Sequence, residues 1–334
     1  MLKIWIDIKN SHEPAFFKSF LNEFVDYTYY ISSREYAEIQ KLLEQMGIQN
    51  DVIGRYYEGN KFKKIFGLMK RDVLLLLNTP YFDISLSHGS VHAVNVAKMR
   101  QKKTICFIDN EKAGSANKVL LRFVDYLITP NALPINNLIE QGAKEDNIIQ
   151  YNGYKEDIYV ADFEPNSKLL NGLPFNDFIT IRPEALKAAY VNDKHSIVPD
   201  LLKAFNKEGI NILYLPRYET DRNFAKGIDV FMPPTVLRGL DVCYYSDAIL
   251  TGSGTFAREA ACMGTPAVSF YPEELLAVDQ KMVGEGRIFH SRDQEEIVDY
   301  VLSCKKRKVD TSGSKKVQRE VFKIFGEIIS EIEC

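Results

Sequence analysis

The chain has 334 residues, enough for two domains at ~150 residues apiece. Hydrophobic residues make up 46% and charged residues 26%, which excludes a largely disordered chain, and 42 Lys and Arg against 45 Asp and Glu leave a net charge of −3, without the basic excess of a dedicated nucleic-acid binder. The longest tight apolar cluster, Val73 to Leu77, falls far short of the ~18–20 residues of a membrane span.

Apolar and β-branched residues predict a first strand at 2–8, without the long apolar core of a signal peptide. In chain order there follow a helix at 14–24, a strand at 27–31, a helix at 34–46 stopped by Gly47, a short strand at 52–53 and a helix at 62–77. A strand at 82–86, a helix at 91–99, a strand at 104–108, a helix near 118–123, a strand at 126–129, a helix at 134–141 and a strand at 148–150 complete a first series. Residues 153–175 lose the periodicity and carry Gly153, Pro165, Gly172 and Pro174, as an interdomain connection would. A second series has strands at 178–181, 210–214, 229–231, 248–251, 267–271 and 288–289. Its helices fall near 196–206, 235–240, 256–263, 275–283 and 295–303, with a long terminal helix from 315. Strands separated by helices imply parallel sheets covered on both faces. The expectation is α/β: two Rossmann-like, doubly wound domains facing each other across a cleft, at 1–152 and 176–314. The helix 315–334 would pack back on the first domain, because its apolar residues, among them Val321, Phe325 and Ile329, exceed one narrow stripe.

In such sheets ligands bind beyond the carboxyl ends of strands, so strand-end loops hold the candidates. Asp7 and the segment Lys9-Asn10-Ser11-His12 follow the first strand; Asn10 or Ser11 can cap the next helix, His12 would project outward, and Asp7 can orient a group or accept a proton. Ser87-His88-Gly89-Ser90 and Asp109-Asn110-Glu111 follow later strands, and Glu111 is a candidate acid or sugar-hydroxyl contact. The strongest local signal is Thr251-Gly252-Ser253-Gly254-Thr255: a strand, a tight turn, then a helix opened at Thr255 and closed by Gly264. The free N–H groups of that helix suit a diphosphate, and Glu259, one turn in, suits vicinal ribose hydroxyls. Arg182 and Arg217 are strand-end cations fitted to phosphate oxygens. Gly252-x-Gly254-x-x-Ala257 with Glu273 also fits a dinucleotide fingerprint, but in the second domain and not after the first strand.

Cys106, Cys243, Cys262, Cys304 and Cys334 are scattered with no CxxC pair, which suits a reducing compartment; the expected location is the cytoplasm. His88 and His92, four apart as on one helix face, have no third ligand in sequence, and no Asp-x-Asp occurs, so no metal or other cofactor is expected. The run Lys305-Lys306-Arg307-Lys308 is either a solvated loop or a weak contact for an anionic lipid surface.

These residues converge on a resemblance. The paired Rossmann-like halves and the Gly-x-Gly-Thr…Glu-Ala…Gly-x-Pro element resemble the GT-B glycosyltransferase and nucleotide-sugar epimerase superfamily. More closely, Trp5-Ile-Asp-Ile8, Asp109-Asn-Glu111, Asn152-Gly-Tyr-Lys-Glu156, Arg182-Pro-Glu184, Leu215-Pro-Arg217 and Gly254-Thr-Phe-Ala-Arg-Glu-Ala260 resemble domain-of-unknown-function family 354, over nearly the whole chain. The resemblance implies a nucleotide sugar, UDP-linked, held by Gly252, Ser253, Gly254, Thr255 and Glu259, to which the strand-end cations Arg182 and Arg217 add their expected phosphate contacts. It implies a reacting sugar or a glycan or lipid-linked acceptor met by the loops of Asn10, His12, His88, Ser90 and Glu111. Hydrolysing UDP-N-acetylglucosamine 2-epimerases of the superfamily carry Gly-Asp-Thr, His-Val-Glu-Ala-Gly and His-Arg-Arg elements. This chain has His88-Gly89-Ser90 where the Asp falls, Ile181-Arg182-Pro183 at the His-Arg-Arg start, and Glu111-Lys-Ala-Gly114 with one extra residue. Losing a proton-shuttling acid favours transfer over epimerisation. The expectation is a metal-independent glycosyltransferase of glycan or polysaccharide biosynthesis with His12, Glu111 and Asp7 as its catalytic candidates; the alternatives are a 2-epimerase and a non-catalytic nucleotide-sugar binder.

Overall fold

The computed structural model describes residues 1–36, 38–55, 61–186, 195–305 and 309–333, apart from the side chains of 61, 62 and 64. The chain divides into two compact units, Met1–Tyr159 with Lys316–Cys334, and Val160–Lys315.

The first unit is built on seven parallel strands: β1 (Lys3–Ile8), β2 (Thr28–Glu35), β3 (Asp51–Arg55), β4 (Ile84–His88), β5 (Lys103–Phe107), β6 (Tyr126–Pro130) and β7 (Ile148–Tyr151). Their order is β3-β2-β1-β4-β5-β6-β7, so the winding reverses between β1 and β4. Near-continuous apolar runs such as Ile4-Trp5-Ile6 are buried because helices cover both faces. The Trp5 ring packs 5.0 Å from Phe82 and its indole N–H donates to Ser32 Oγ at 2.9 Å. β2 continues to Glu35, and the helix expected at 34–46 contracts to Ile39–Gln45. Ser32 and Ser33 pair there with Asp51 and Val52 of β3, which extends the strand past its apolar residues.

The helix Ser312–Glu333 ends in this unit. Its Phe322 and Phe325 pack edge-on against Phe20 at 5.2 and 5.3 Å, and Phe325 lies 4.8 Å from Phe24. Gly153 is where the helix passes closest: a Cβ there would stand 2.4 Å from Val317 Cγ2. The division between the units, at Tyr159 and Val160, falls inside the connection read at 153–175. Residues up to Tyr159 belong to the first unit, and Lys155, Glu156, Asp157 and Ile158 are buried. Lys155 reads locally as a solvated charge because Asp109, its partner, lies 46 residues back.

The second unit has five parallel strands, β8 (Ile179–Arg182), β9 (Ile212–Tyr214), β10 (Ala248–Thr251), β11 (Ala267–Ser269) and β12 (Phe289–His290), ordered β12-β11-β10-β8-β9. The winding reverses between β8 and β10. The segment read as a strand at 229–231 makes a single bridge, Phe231 to Leu213. The helix expected at 235–240 lies at Gly239–Tyr245, where Leu240, Val242 and Cys243 are buried.

Candidate functional site

Each sheet reverses its strand order where loops leave on opposite faces, and a group of buried polar side chains lies at each of those two places.

In the first unit, β1 ends at buried Asp7. Its carboxylate accepts from Arg71 Nη1 and Nη2 at 2.9 and 2.6 Å, from Ser32 Oγ at 2.8 Å and from Ser90 Oγ at 2.7 Å. Burial pushes this carboxyl up, but the Arg71 guanidinium beside it outweighs burial and holds it at about 2. Asp7 is thus a fixed anion tying β1 to the β4 loop, and the proton-accepting role considered for it is corrected: its oxygens are taken. Ser90 shares in this tie and also caps the helix Val91–Met99 through Ala93 N–H at 3.3 Å.

Neither Asn10 nor Ser11 caps the first helix. His12 occupies that position without a side-chain cap, and Glu13, the first helical residue, is buried instead. The Glu13 carboxylate accepts from Lys9 N–H at 2.6 Å and from Asn10 Nδ2 at 2.8 Å. Burial raises its pKa to about 7, against the lowering pull of Lys9 and Arg34. Lys9 Nζ donates to Gly89 O at 2.5 Å, joining the loops after β1 and β4 across the reversal.

His88 is the last residue of β4, so the four-residue spacing to His92 is not a helix face. His92 instead bonds Asp72 at 2.5 Å. The His12 and His88 rings meet edge-on at 5.2 Å. Among the described residues, His12, Glu13 and His88 form one group whose potential ligand atoms lie within 4.8 Å of one another. His88 Nε2 lies 3.5 Å from Asp109 Oδ1, and Lys155 Nζ donates to Asp109 Oδ2 at 2.8 Å with Glu156 at 3.3 Å. Two residues past Asp109, Glu111 is buried, with its backbone carbonyl held by Gln141 Nε2 at 3.0 Å. The result is His12, Glu13 and His88 gathered in one group beside the Asp109–Lys155 ion pair, with the Glu13 carboxyl raised to about 7 by burial.

In the second unit, Gly252 follows β10 and presses on the loop after β8: a Cβ there would stand 2.6 Å from the Glu184 Cα. Glu184 is buried and accepts from Ser196 Oγ at 2.7 Å and Arg292 Nη1 at 3.2 Å. Ser253 N–H donates to Thr251 Oγ1 at 3.0 Å, and the helix Gly254–Met263 starts one residue before Thr255, ending in left-handed Gly264. Arg258, inside that helix, pairs with buried Asp279 at 2.7 Å and lies 3.0 Å from where a Gly254 Cβ would be. Glu259 is half-buried, with an oxygen 3.6 Å from a hypothetical Gly239 Cβ. Arg182 ends β8 with its guanidinium 6.0 Å from the Phe256 ring centre, and Arg217 follows β9 with its backbone N–H on Asp221. The structure thus brings Arg182, Gly252, Ser253, Gly254 and Thr255 to one sheet reversal. It brings His12 and His88 together at the other, beside the loop that carries Glu111.

Sequence reasoning assigned no role to Glu13, Asp109, Lys155, Glu184 or Arg292. Three of them lay inside segments already singled out for their family likeness, Asp109-Asn-Glu111, Asn152–Glu156 and Arg182-Pro-Glu184, which was the available signal. Lys305 is exposed, and Lys306, Arg307 and Lys308 lie outside the described residues.

The model of the family described as protein of unknown function (DUF354) matches residues 2–332. An uncharacterized protein of Methanocaldococcus jannaschii is 30% identical over 320 residues, covering 90% of this chain and 91% of its own. Among solved structures, the UDP-GlcNAc 2-epimerase of M. jannaschii in complex with UDP-GlcNAc and UDP superposes with a TM-score of 0.69 at 16% identity, covering 97% of this chain and 99% of its own. The UDP-N-acetylglucosamine 2-epimerase of Rickettsia bellii gives 0.71 at 17% identity, covering 100% and 97%. At these identities the likeness establishes the fold, a GT-B-type pair of α/β units.

Proposed function

The chain belongs to the DUF354 family of proteins of unknown function, and from that premise we propose that it is a nucleotide-diphosphate-sugar enzyme of the glycosyltransferase type. The reading rests on one observation: in each unit the polar constellation sits at the reversal of strand order, acid–base groups in the first and a glycine turn opening a helix in the second. His12 takes the proton of an acceptor hydroxyl as that oxygen bonds to the sugar and the bond from sugar to diphosphate breaks. Glu111 is the alternative base or fixes the acceptor, a glycan or lipid-linked sugar. The departing diphosphate, UDP by analogy with what the neighbours' names say they bind, is stabilised by the N–H groups of Gly254–Met263 and by Arg182 or Arg217, while Glu259 holds the ribose. No metal is required: Lys9 and Arg34 already place cationic charge beside Glu13 and disfavour a further cation at His12, Glu13 and His88.

Epimerisation at C2 is the second reading, and one observation favours it. Where the epimerase elements named above carry Asp in the first loop and His in the second, this chain carries His88 and Asp109, 3.5 Å apart. An imidazole and a carboxylate thus still meet between these two loops.

A thermal-shift panel tests the common part, because a ligand of the native state raises stability by mass action. UDP and UDP-sugars should raise the melting temperature and nicotinamide dinucleotides should not. The reverse result sinks the reading. Product NMR then separates transfer from a 2-epimer, and activity lost to EDTA and restored by manganese overturns the metal-free mechanism.

A further inference from the structure

The helix Lys61–Asn78 is apolar on two sides: Leu75 is buried in the core beside Trp5 and Phe82, with Leu74 and Leu76 packed against it, and a second apolar strip faces outward. A surface helix ordinarily buries its apolar stripe and exposes its charges. Here Arg71 and Asp72 are buried, the first on Asp7 and the second on His92 and Asn95. The outer face instead presents Ile65 (48% exposed), Phe66 (65%), Met69 (61%), Val73 (54%) and Leu77 (75%). Ile65, Met69, Val73 and Leu77 recur every four residues, so with Phe66 they form one continuous strip ~18 Å long at 1.5 Å per residue. An apolar strip of this kind on a soluble surface marks a contact.

The charges beside the strip identify its occupant. Lys63 and Lys70 are exposed, Lys61 and Lys64 belong to the same helix in sequence, and Asp72, the sole acid of the helix, is turned inward and paired. A second copy of this chain, meeting the face isologously, would set lysines against lysines with no acid to answer them. An anionic bilayer surface answers both halves, since headgroup phosphates attract the lysines while the apolar side chains enter the headgroup boundary. None of the described helices is long and apolar enough to cross a membrane. We propose that the helix Lys61–Asn78 lies in the plane of an anionic phospholipid surface and docks the protein there reversibly. The proposal is independent of the reaction the protein catalyses.

Flotation of the full chain with vesicles tests this. Vesicles of phosphatidylcholine mixed with phosphatidylglycerol should carry the protein up, and phosphatidylcholine alone should carry much less. Binding should fall with added salt. Phe66→Glu with Val73→Glu should weaken it by roughly ten- to a hundredfold, the scale of two apolar side chains kept in water. Lys63→Glu or Lys70→Glu should each cost at least about fivefold. All four positions are exposed, so the melting temperature of each variant should stay at the parent value. The proposal is overturned if the parent does not float, if it floats equally with both vesicle types, or if the variants float as it does. It is equally overturned if light scattering finds a dimer that Phe66→Glu dissociates while vesicle binding is absent, which would assign the strip to a second copy.

Discussion

Asp7 and Glu13 stand six residues apart, and burial acts on both, yet one carboxyl is held below its ordinary value and the other is raised above it. Arg71 supplies Asp7 with a full counter-charge, whereas Glu13 has hydrogen bonds and a more diffuse pull from Lys9 and Arg34. Asp7, lowered from 3.8 to about 2, contributes stability that is present above its unfolded value and lost as pH falls toward 2, worth about 2 kcal/mol. Acid unfolding of Arg71→Met should therefore lose much of its steepness between pH 4 and 2 and begin from a lower plateau. Glu13, raised from 4.5 to about 7, behaves oppositely: its neutral form is favoured by folding, so stability is full below 4.5 and declines as pH rises through 7, by on the order of 3 kcal/mol. Glu13→Gln should flatten that decline, and urea titrations at pH 5 and 8 measure it; an unchanged slope would mean that Glu13 is ionised throughout. The binding groups carry a separate prediction. Glu259→Ala should weaken UDP binding by roughly 1–3 kcal/mol in calorimetry, while His12→Ala and Glu111→Ala should leave UDP affinity near the parent value and lower turnover. As candidates, His12, His88 and Glu111 are picked out in the sequence by strand-end position, and Glu259 by its place one turn into the helix after the glycine turn. Glu13 is not, since an acid at the start of a helix reads as ordinary capping chemistry. Arg71 was hidden because 64 residues separate it from Asp7.

At the scale of elements, two glycines record close approaches that no periodicity announces. Gly153 admits Val317 of the terminal helix, and Gly252 admits the backbone of Glu184. Gly153→Ala should cost roughly 1–3 kcal/mol through overpacking, and Val317→Ala should recover part of that loss, which a double-mutant cycle by chemical denaturation would read. Gly252→Ala meets backbone and cannot be relieved by trimming one side chain; it should lose UDP binding as well as stability. Element type and order were legible nearly throughout, because helical and strand periodicities alternate cleanly in a parallel sheet. The misplacements share a cause. The 34–46 helix and the 235–240 helix lie where polar residues are buried and paired or where buried residues begin later than the local pattern suggests. Lys155 is 2% exposed on Asp109, 46 residues back, and hydropathy alone reads such a residue as solvent-facing.

At the scale of the whole molecule, the described residues form two parallel sheets of seven and five strands, and the α/β fold class followed from alternation alone. The direction of the winding reversals was less legible, since strand order is set by which crossovers turn back and not by composition. The first unit is assembled from two stretches of chain, with all of Val160–Lys315 inserted between them. Truncation before Lys316 should leave Phe20 and Phe24 without Phe322 and Phe325, so the first unit should lose its cooperative melting transition. Preservation of that transition in the truncated chain would show that the helix is dispensable. The same insertion sets a timetable for synthesis. Domains fold as units as they leave the ribosome, and the inserted unit is continuous in sequence, so it can close as soon as it emerges. The first unit, although its sheet precedes the inserted unit, keeps an open phenylalanine seam until the helix Ser312–Glu333 follows to cover it.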